Sequence, residues 1–400
     1  MVVRKGKFKF IEEIKEIKAL KRLAYCLIIL IFVFTICACS SSKNSSYLGD
    51  YDYLWDELEN SYPYLAYLSD DLGIDVDGIR EKYAGEAEAA EDDDSFALIL
   101  QNMFSEMNNF AHLNLVTPEM YQRLYCIFVY DETIASDDDP FTVILQDPEL
   151  SDYYVKPESQ EDIFQKTDDE YPSVWVQYFT NTKTLYLRIQ SFAHELIESD
   201  SVVINEAFEK YPGAEDLIID ITNNSGGDDN YWKQNLVAPL GGDYSFSART
   251  YIRKTDLTDK YFGDRETNDI PDDAPAWVEQ LGLDRCLDTD WILTEGRAEE
   301  KNIKKWVLTS ERVYSSADKF ANFCKRTGWA TIIGTRTGGD GLGSTPVLLM
   351  LPDSGLLIRF SAEVGENPDG SMNAAVGTLP DVVCKSKDAF DRCLELIGGE

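Results

Sequence analysis

Two serines end an apolar run and open a helical pattern in Val307-Leu308-Thr309-Ser310-Glu311-Arg312-Val313-Tyr314-Ser315-Ser316-Ala317-Asp318-Lys319-Phe320. A serine at a strand-to-helix turn carries its hydroxyl past the sheet edge, where the first helical N–H groups face any oxyanion that forms. Acyl transfer needs that combination of nucleophile and donors. Serine is also a favoured helix cap, so residue type alone leaves open whether Ser315 or Ser316 merely caps the helix 317–325. A second feature is the apolar run Leu217-Ile218-Ile219-Asp220-Ile221, which leads into Thr222-Asn223-Asn224-Ser225-Gly226-Gly227-Asp228. Adjacent glycines at a strand end admit positive φ and bring bare N–H groups close to a ligand. An ordinary Asn/Gly turn would look the same, but the turn lacks the Lys-Ser/Thr of a phosphate loop, which disfavours nucleotide binding. The chain holds two histidines, His112 in Phe110-Ala111-His112-Leu113-Asn114-Leu115 and His194 in Ser191-Phe192-Ala193-His194-Glu195. Histidine is the side chain best suited to accept a serine proton near neutral pH.

These residues need a scaffold, and the pattern supplies one from Leu185 onward. A strand at 185–189, a helix near 202–211, a strand at 217–221 and a helix at 231–236 are followed by a strand at 306–309, a helix at 316–326 and a strand at 330–334. Strands alternating with helices predict βαβ units around a largely parallel sheet. A hairpin of 347–351 and 356–360, turned by Pro352-Asp353-Ser354-Gly355, adds a β layer. Residues 48–116 carry helical patterns at 53–58, 79–83 and 96–104 with an acidic break at 85–94, and read as a helical lobe. Residues 117–181 are mixed, with a strand pair expected at 125–130 and 141–145, and 182–400 form the core.

Asp220-x-x-Asn223-Asn224-x-Gly226-Gly227 followed by Tyr314-Ser315-Ser316-Ala317-Asp318 resembles the S41 peptidases, the group of C-terminal processing, tricorn-core and interphotoreceptor-retinoid-binding-like proteins. Gly334-Thr335-Arg336-Thr337-Gly338-Gly339, Leu351-Pro352-Asp353-Ser354-Gly355-Leu356 and Gly377-Thr378-Leu379-Pro380-Asp381 extend the match in the same order, and the helical lobe is similar to the family's amino-terminal region. The resemblance implies an α/β fold with a ClpP/crotonase-like core and a peptide or unfolded-protein substrate. It implies Ser315 as nucleophile, His112 as general base, and an oxyanion hole from the Ser316 N–H with one from Gly226 or Gly227. Asn223, Asn224, Asp340 and His194 become candidate cleft residues. No cofactor and no metal is implied.

Two positions depart from the family pattern. Asp340 stands where processing peptidases use a lysine, so a Ser–Lys dyad is not expected. Ala374 stands where the histidine-using branch has its supporting glutamate, which leaves Asp340, Glu363 or Glu366 to supply a carboxylate and predicts weak activity. The region between His112 and Leu185 has no recognisable PDZ module, so selection by a carboxyl-terminal tail is not expected. Against the peptidase stand two other readings: a catalytically impaired peptide-binding lipoprotein, favoured by Ala374, and a binder of small apolar ligands.

The first 38 residues carry eight Lys/Arg against three Glu and end in a charge-free, largely apolar stretch from Cys26 to Ala38. Such a segment reads as a signal peptide, and thirteen residues are short for a span of about 20. Ile36-Cys37-Ala38-Cys39 resembles the bacterial lipoprotein box, which implies lipidation at Cys39, a flexible tether over 39–47 and an enzyme anchored to the membrane on its extracytoplasmic face. The whole chain carries a net charge of −35. That surface repels phosphate backbones and makes nucleic acid an unsuitable partner. Beyond Cys39 stand Cys126, Cys286, Cys324, Cys384 and Cys393, an odd number without metal-site spacing.

Overall fold

A computed structural model describes residues 47–131, 134–157, 172–292 and 302–398. The leader, the lipobox with Cys39 and the tether to residue 46 lie outside the described residues. The helices that frame the site are α1 (Tyr47–Ser61), α2 (Leu65–Asp70), α3 (Val76–Glu88), α4 (Asp93–Glu106), α5 (Pro118–Tyr125), α6 (Pro140–Leu145), α7 (Ile197–Lys210), α8 (Ser316–Thr327) and α9 (Ala389–Gly398). The strands are β1 (Asn114–Leu115), β2 (Val174–Phe179), β3 (Thr184–Ile189), β4 (Asp216–Asp220), β5 (Ser245–Ile252) and β6 (Arg285–Ile292). They continue with β7 (Lys304–Thr309), β8 (Thr331–Gly334), β9 (Val347–Met350), β10 (Leu357–Phe360), β11 (Glu363–Gly365) and β12 (Val382–Val383).

A six-stranded sheet in the order β12-β8-β7-β4-β3-β2 forms the centre, parallel throughout except for the antiparallel edge pair β2–β3. Leu217, Ile218 and Ile219 of β4 are fully buried because both faces of that strand are covered, which explains its unbroken apolar run. Ile204 and Ala207 of α7, with Phe320, Ala321 and Cys324 of α8, pack on one face. Ala389 and Cys393 of α9 pack with Trp306, Leu308 and Ile333 on the other. Two three-stranded sheets, β11-β5-β6 and β1-β10-β9, add the β layer. The hairpin β9–β10 pairs as expected, from Val347↔Phe360 to Met350↔Leu357.

The helical lobe is present and shares its core with that layer: Trp55, Leu58, Tyr62 and Phe104 are buried in one cluster with Leu348, Ile358 and Phe360. The expected strand pair at 125–130 and 141–145 is not formed. Those residues lie in α5, in a π-helical turn Cys126–Tyr130 that continues it, and in α6. Helix starts decide the matter: Thr117 and Asp139 cap the N–H groups of Met120 and Thr142, and a proline follows each at the first helical position. Phe128 then stacks on Phe141, ring centroids 4.4 Å apart, as helix-borne rings rather than cross-strand neighbours. All five cysteines among the described residues are free, and Cys324 lies in the core.

Parallel strands deliver their following loops to one edge of the sheet. The segments after β3, β4, β7 and β8 therefore converge, bringing together residues 190–194, 222–228, 310–316 and 335–341.

Candidate active site

Ser315 stands at the start of α8 with φ 55° and ψ −129°, a region that side chains other than glycine rarely occupy. Neighbouring backbone groups hold it there. Its N–H donates to Gly339 O (3.0 Å), its carbonyl accepts from Lys319 N (2.9 Å), and Ala317 N donates to Tyr314 O (3.1 Å). The Ser315 side chain caps no helical N–H, so the ordinary capping role does not account for it. Its hydroxyl makes no hydrogen bond with any described residue, and the residue is half-buried.

The glycine turn lies directly against this elbow. A methyl group on Gly226 would sit 2.7 Å from Tyr314 O, 2.9 Å from Ser315 Cβ and 3.0 Å from Ser316 N, and its φ is +105°. Only glycine permits that approach. Asn224 shapes the turn: its Oδ1 accepts from Gly226 N (2.9 Å), and its Nδ2 donates to Ile189 O (3.3 Å). The Gly226 N–H is thereby occupied. Gly227 is bridged to Phe192 in parallel fashion through Phe192 N→Gly226 O and Asp228 N→Phe192 O, a pattern that turns its own N–H away from Phe192. Among the described residues neither Gly227 N–H nor Ser316 N–H has an acceptor. Two free donors beside an unbonded serine hydroxyl suit an oxyanion.

His112 reaches the elbow from the helical lobe. The chain leaves α4 through Asn108, Asn109, Ala111 and His112, all with positive φ, and then joins β10 through Asn114↔Arg359. Ser361 N donates to Ala111 O (2.8 Å), and His112 N donates to the Tyr314 hydroxyl (3.2 Å). The imidazole lies against the Tyr314 ring, centroids 4.8 Å apart. Its Nδ1 is 2.5 Å from Asp340 Oδ2 and 3.1 Å from Ser361 Oγ. The same carboxylate oxygen accepts from the Tyr314 hydroxyl (2.8 Å) and Ser361 Oγ (3.0 Å). Because the Asp340 carboxylate is the acceptor, the proton is assigned to Nδ1, which leaves Nε2 with a free lone pair. Burial pushes the His112 imidazole below its ordinary value, against the raising pull of Asp340. Burial thus favours the neutral imidazole.

Asp318, in the first turn of α8, fastens two loops to this assembly. Its Oδ1 accepts from Thr337 Oγ1 (2.5 Å), Thr378 Oγ1 (2.7 Å) and Thr378 N (3.2 Å). Its Oδ2 accepts from Asn373 Nδ2 (2.8 Å) and Gly341 N (3.2 Å). Gly341 follows Asp340, so the helix that begins at the serine also fixes the carboxylate behind the histidine.

A family model for peptidase family S41 matches residues 183–384, half of the chain and five of the six strands of the sheet that carries Ser315 and the glycine turn. The chain belongs to peptidase family S41. It is therefore a serine-type peptidase by class. Solved structures agree in fold. A candidate peptidase from Parabacteroides merdae is 18% identical, with a TM-score of 0.54 over 88% of this chain and 97% of its own. Mature CPAF is 13% identical, with a TM-score of 0.52 over 89% of this chain and 98% of its own. Mature CPAF complexed with lactacystin gives a TM-score of 0.51 at 13% identity over 89% of this chain and 99% of its own.

Within this S41 chain the other candidate residues fall in distinct places. His194 sits apart from the Tyr314–Asp340 network: its Nδ1 is 2.7 Å from Asp228 Oδ2 and its Nε2 3.5 Å from Asp131 Oδ2. The hydrogen bond to Asp228 raises its pKa above the ordinary value, opposite to His112. Asn223 is exposed, and its Oδ1 accepts from Arg312 Nη1 (3.3 Å). Glu363 is bound by Arg265 (2.9 Å) and Thr250, and Glu366 by the Tyr251 hydroxyl (2.7 Å). Of the three carboxylates left open by the sequence, Asp340 is the one on the histidine. Ala374 is buried in the core, and its neighbour Asn373 accepts from Gly341 N (2.9 Å). Lys319 is no substitute for the family lysine, since its Nζ donates to Asp229 Oδ2 (2.7 Å) and Gly343 O (3.1 Å). Tyr314 and Ser361 carry no mark of their own in the sequence. Tyr314 lies inside the serine motif, but its service to the carboxylate becomes visible only once the loops are folded together.

Proposed function

We propose that the protein is a lipid-anchored, extracytoplasmic serine endopeptidase in which Ser315, His112 and Asp340 act as one unit. The observation that carries the reading is the 2.5 Å contact of His112 Nδ1 with Asp340 Oδ2, beside a serine in a strained turn at a helix start. In this mechanism Ser315 Oγ attacks the peptide carbonyl while His112 Nε2 takes its proton. The N–H groups of Ser316 and Gly227 hold the resulting oxyanion, and His112 returns the proton to the leaving amine. Water then repeats the sequence on the acyl-enzyme. The mechanism requires a Ser315 Oγ–His112 Nε2 hydrogen bond in the substrate complex; in the free site the two segments are joined through Tyr314, whose hydroxyl accepts from His112 N (3.2 Å). Tyr314 and Ser361 hold Asp340 in place, so the carboxylate expected at residue 374 is supplied from residue 340.

The test is covalent labelling by a fluorophosphonate together with cleavage of an internally quenched peptide blocked at both ends. Both should occur in wild type and vanish in Ser315→Ala. Labelling that persists in Ser315→Ala would remove the nucleophile assignment, and cleavage restricted to unblocked peptides would remove the endopeptidase assignment. A non-catalytic binder, the reading favoured by Ala374, predicts neither labelling nor cleavage. The anchor rests on the lipobox-like Ile36-Cys37-Ala38-Cys39. Cys39→Ala should abolish fatty-acid incorporation and release the protein from membranes; unchanged incorporation refutes it.

A further inference from the structure

Arg359 stands out among the cations of this acidic chain. It lies on β10 opposite Asn114 and two residues before Ser361, whose Oγ touches His112 Nδ1. Two residues along a strand span about 7 Å on the same face, so the guanidinium shares the neighbourhood of the catalytic imidazole. Its Nη1 reaches Met120 Sδ (3.6 Å), and its Nε is buried with no hydrogen-bond partner. No carboxylate among the described residues forms an ion pair with it. The chain has 72 Asp and Glu against 37 Lys and Arg, so the missing partner does not reflect a shortage of acids. Asp340 acts on this cation only through space, and a buried guanidinium N–H left without an acceptor is costly.

The residue across the strand pair completes the picture. Asn114 donates through Nδ2 to His112 O (2.8 Å), while its Oδ1 is buried without a donor. A vacant cationic donor and a vacant acceptor therefore stand side by side, next to the histidine. Arg359 as a residue is only partly buried, so the site has an approach from solvent. Asp340, the nearest carboxylate of the network, already accepts from His112, Tyr314 and Ser361.

We propose that Arg359 and Asn114 form a carboxylate subsite beside the catalytic histidine, with Arg359 pairing the carboxylate of the substrate and Asn114 Oδ1 accepting a neighbouring substrate N–H. The subsite rests on the peptidase reading for its purpose, and it deepens that reading by naming the substrate class: peptides that present an acidic side chain or a terminal carboxylate close to the scissile bond. Guanidinium–carboxylate hydrogen bonds discriminate strongly against the uncharged amide.

Binding to the Ser315→Ala protein tests this without requiring turnover. Four matched fluorescent peptides are compared, with glutamate or glutamine flanking the cleavage position and with a free or amidated carboxyl terminus. The carboxylate form should bind about 10- to 100-fold more tightly than its amide, the range for one charge-assisted contact. Which pair shows the ratio identifies side chain or terminus as the source. Adding Arg359→Gln should bring the ratio to within about twofold, and Arg359→Lys should keep part of it. Arg359→Met, which keeps the length and loses the charge, should likewise bring the ratio to within about twofold. A ratio near one in the parent, a ratio that survives Arg359→Gln, or no measurable binding of any peptide overturns the proposal. Fluorophosphonate labelling of wild type is read separately: its failure removes the serine mechanism while leaving a measured carboxylate ratio standing.

Discussion

Replacing Asp340 by asparagine isolates the charge behind His112 with little change of shape. In the wild-type site the carboxylate oxygen accepts from three donors and lies 2.5 Å from Nδ1. When His112 takes the serine proton, an imidazolium forms beside that carboxylate. Charge centres roughly 4 Å apart in a medium of effective dielectric about 20 attract by about 4 kcal/mol. At about 1.4 kcal/mol per decade, losing that attraction slows acylation by about three orders of magnitude. A second effect adds to it, because an asparagine whose Nδ2 faces the ring would favour the tautomer with the proton on Nε2, which cannot accept from Ser315. The assay is the second-order rate of Ser315 labelling alongside kcat/KM for a quenched peptide, each followed across pH. Because Asp340 raises the His112 pKa, the acid limb should also move to lower pH in the variant as the rate falls. A rate within about threefold of wild type, with Ser315→Ala inactive, would refute the assignment of Asp340 as the supporting acid.

Other outcomes follow from the same geometry. The acid limb of wild-type kcat/KM should fall below the ordinary histidine value of 6.5, since burial holds His112 below it; a limb above 6.5 points to another base. Gly226→Ala should abolish labelling and lower the melting temperature, because its methyl group would sit 2.7 Å from Tyr314 O at a φ of +105°; retained labelling would show that the turn does not crowd the serine. His194→Ala should keep labelling far above the level of His112→Ala. The raised pKa of His194 contributes stability that is fully present below pH 6.5 and lost as pH rises through the folded value, so chemical denaturation of that variant should show a larger deficit at pH 5.5 than at pH 8.5, and an equal deficit at both would remove the ion-pair role. Ala374→Glu should destabilise the protein rather than activate it, since residue 374 is buried in an apolar cluster and His112 already has its acid; a faster variant would contradict this.

The parallel sheet was legible because β4 and β7 are short apolar runs buried on both faces, and the turn at the serine was legible because it must follow such a strand. The middle region misled because Tyr125–Tyr130 and Phe141–Leu145 are rich in aromatic and β-branched residues, a composition shared by strands and by helices that pack rings. The cap-and-proline starts at Thr117 and Asp139 carried the better signal. Among site residues, Ser315 and the glycine turn stood out only through the ordered motifs of the resemblance, since locally they read equally well as a helix cap and an ordinary turn. The partnership of His112 with Asp340 was not legible, since it depends on a contact 228 residues apart in the chain. The pairing β1–β10 makes that contact, and two-residue strands such as β1 leave almost no periodicity to read.

That pairing also sets when the protein can become an enzyme. The serine elbow needs only the central sheet, but His112 is seated by Ser361 and by the β1–β10 register, and Ser361 stands 249 residues after it. The loop-closure cost of so long a connection is met only when nearly the whole chain is available to fold. A chain emerging amino-terminus first therefore presents its histidine early and without a partner, then its serine, and the carboxylate and β10 last. Under the proposed mechanism hydrolytic capacity requires that long-range closure, so catalytic activity would read out how completely the chain has folded.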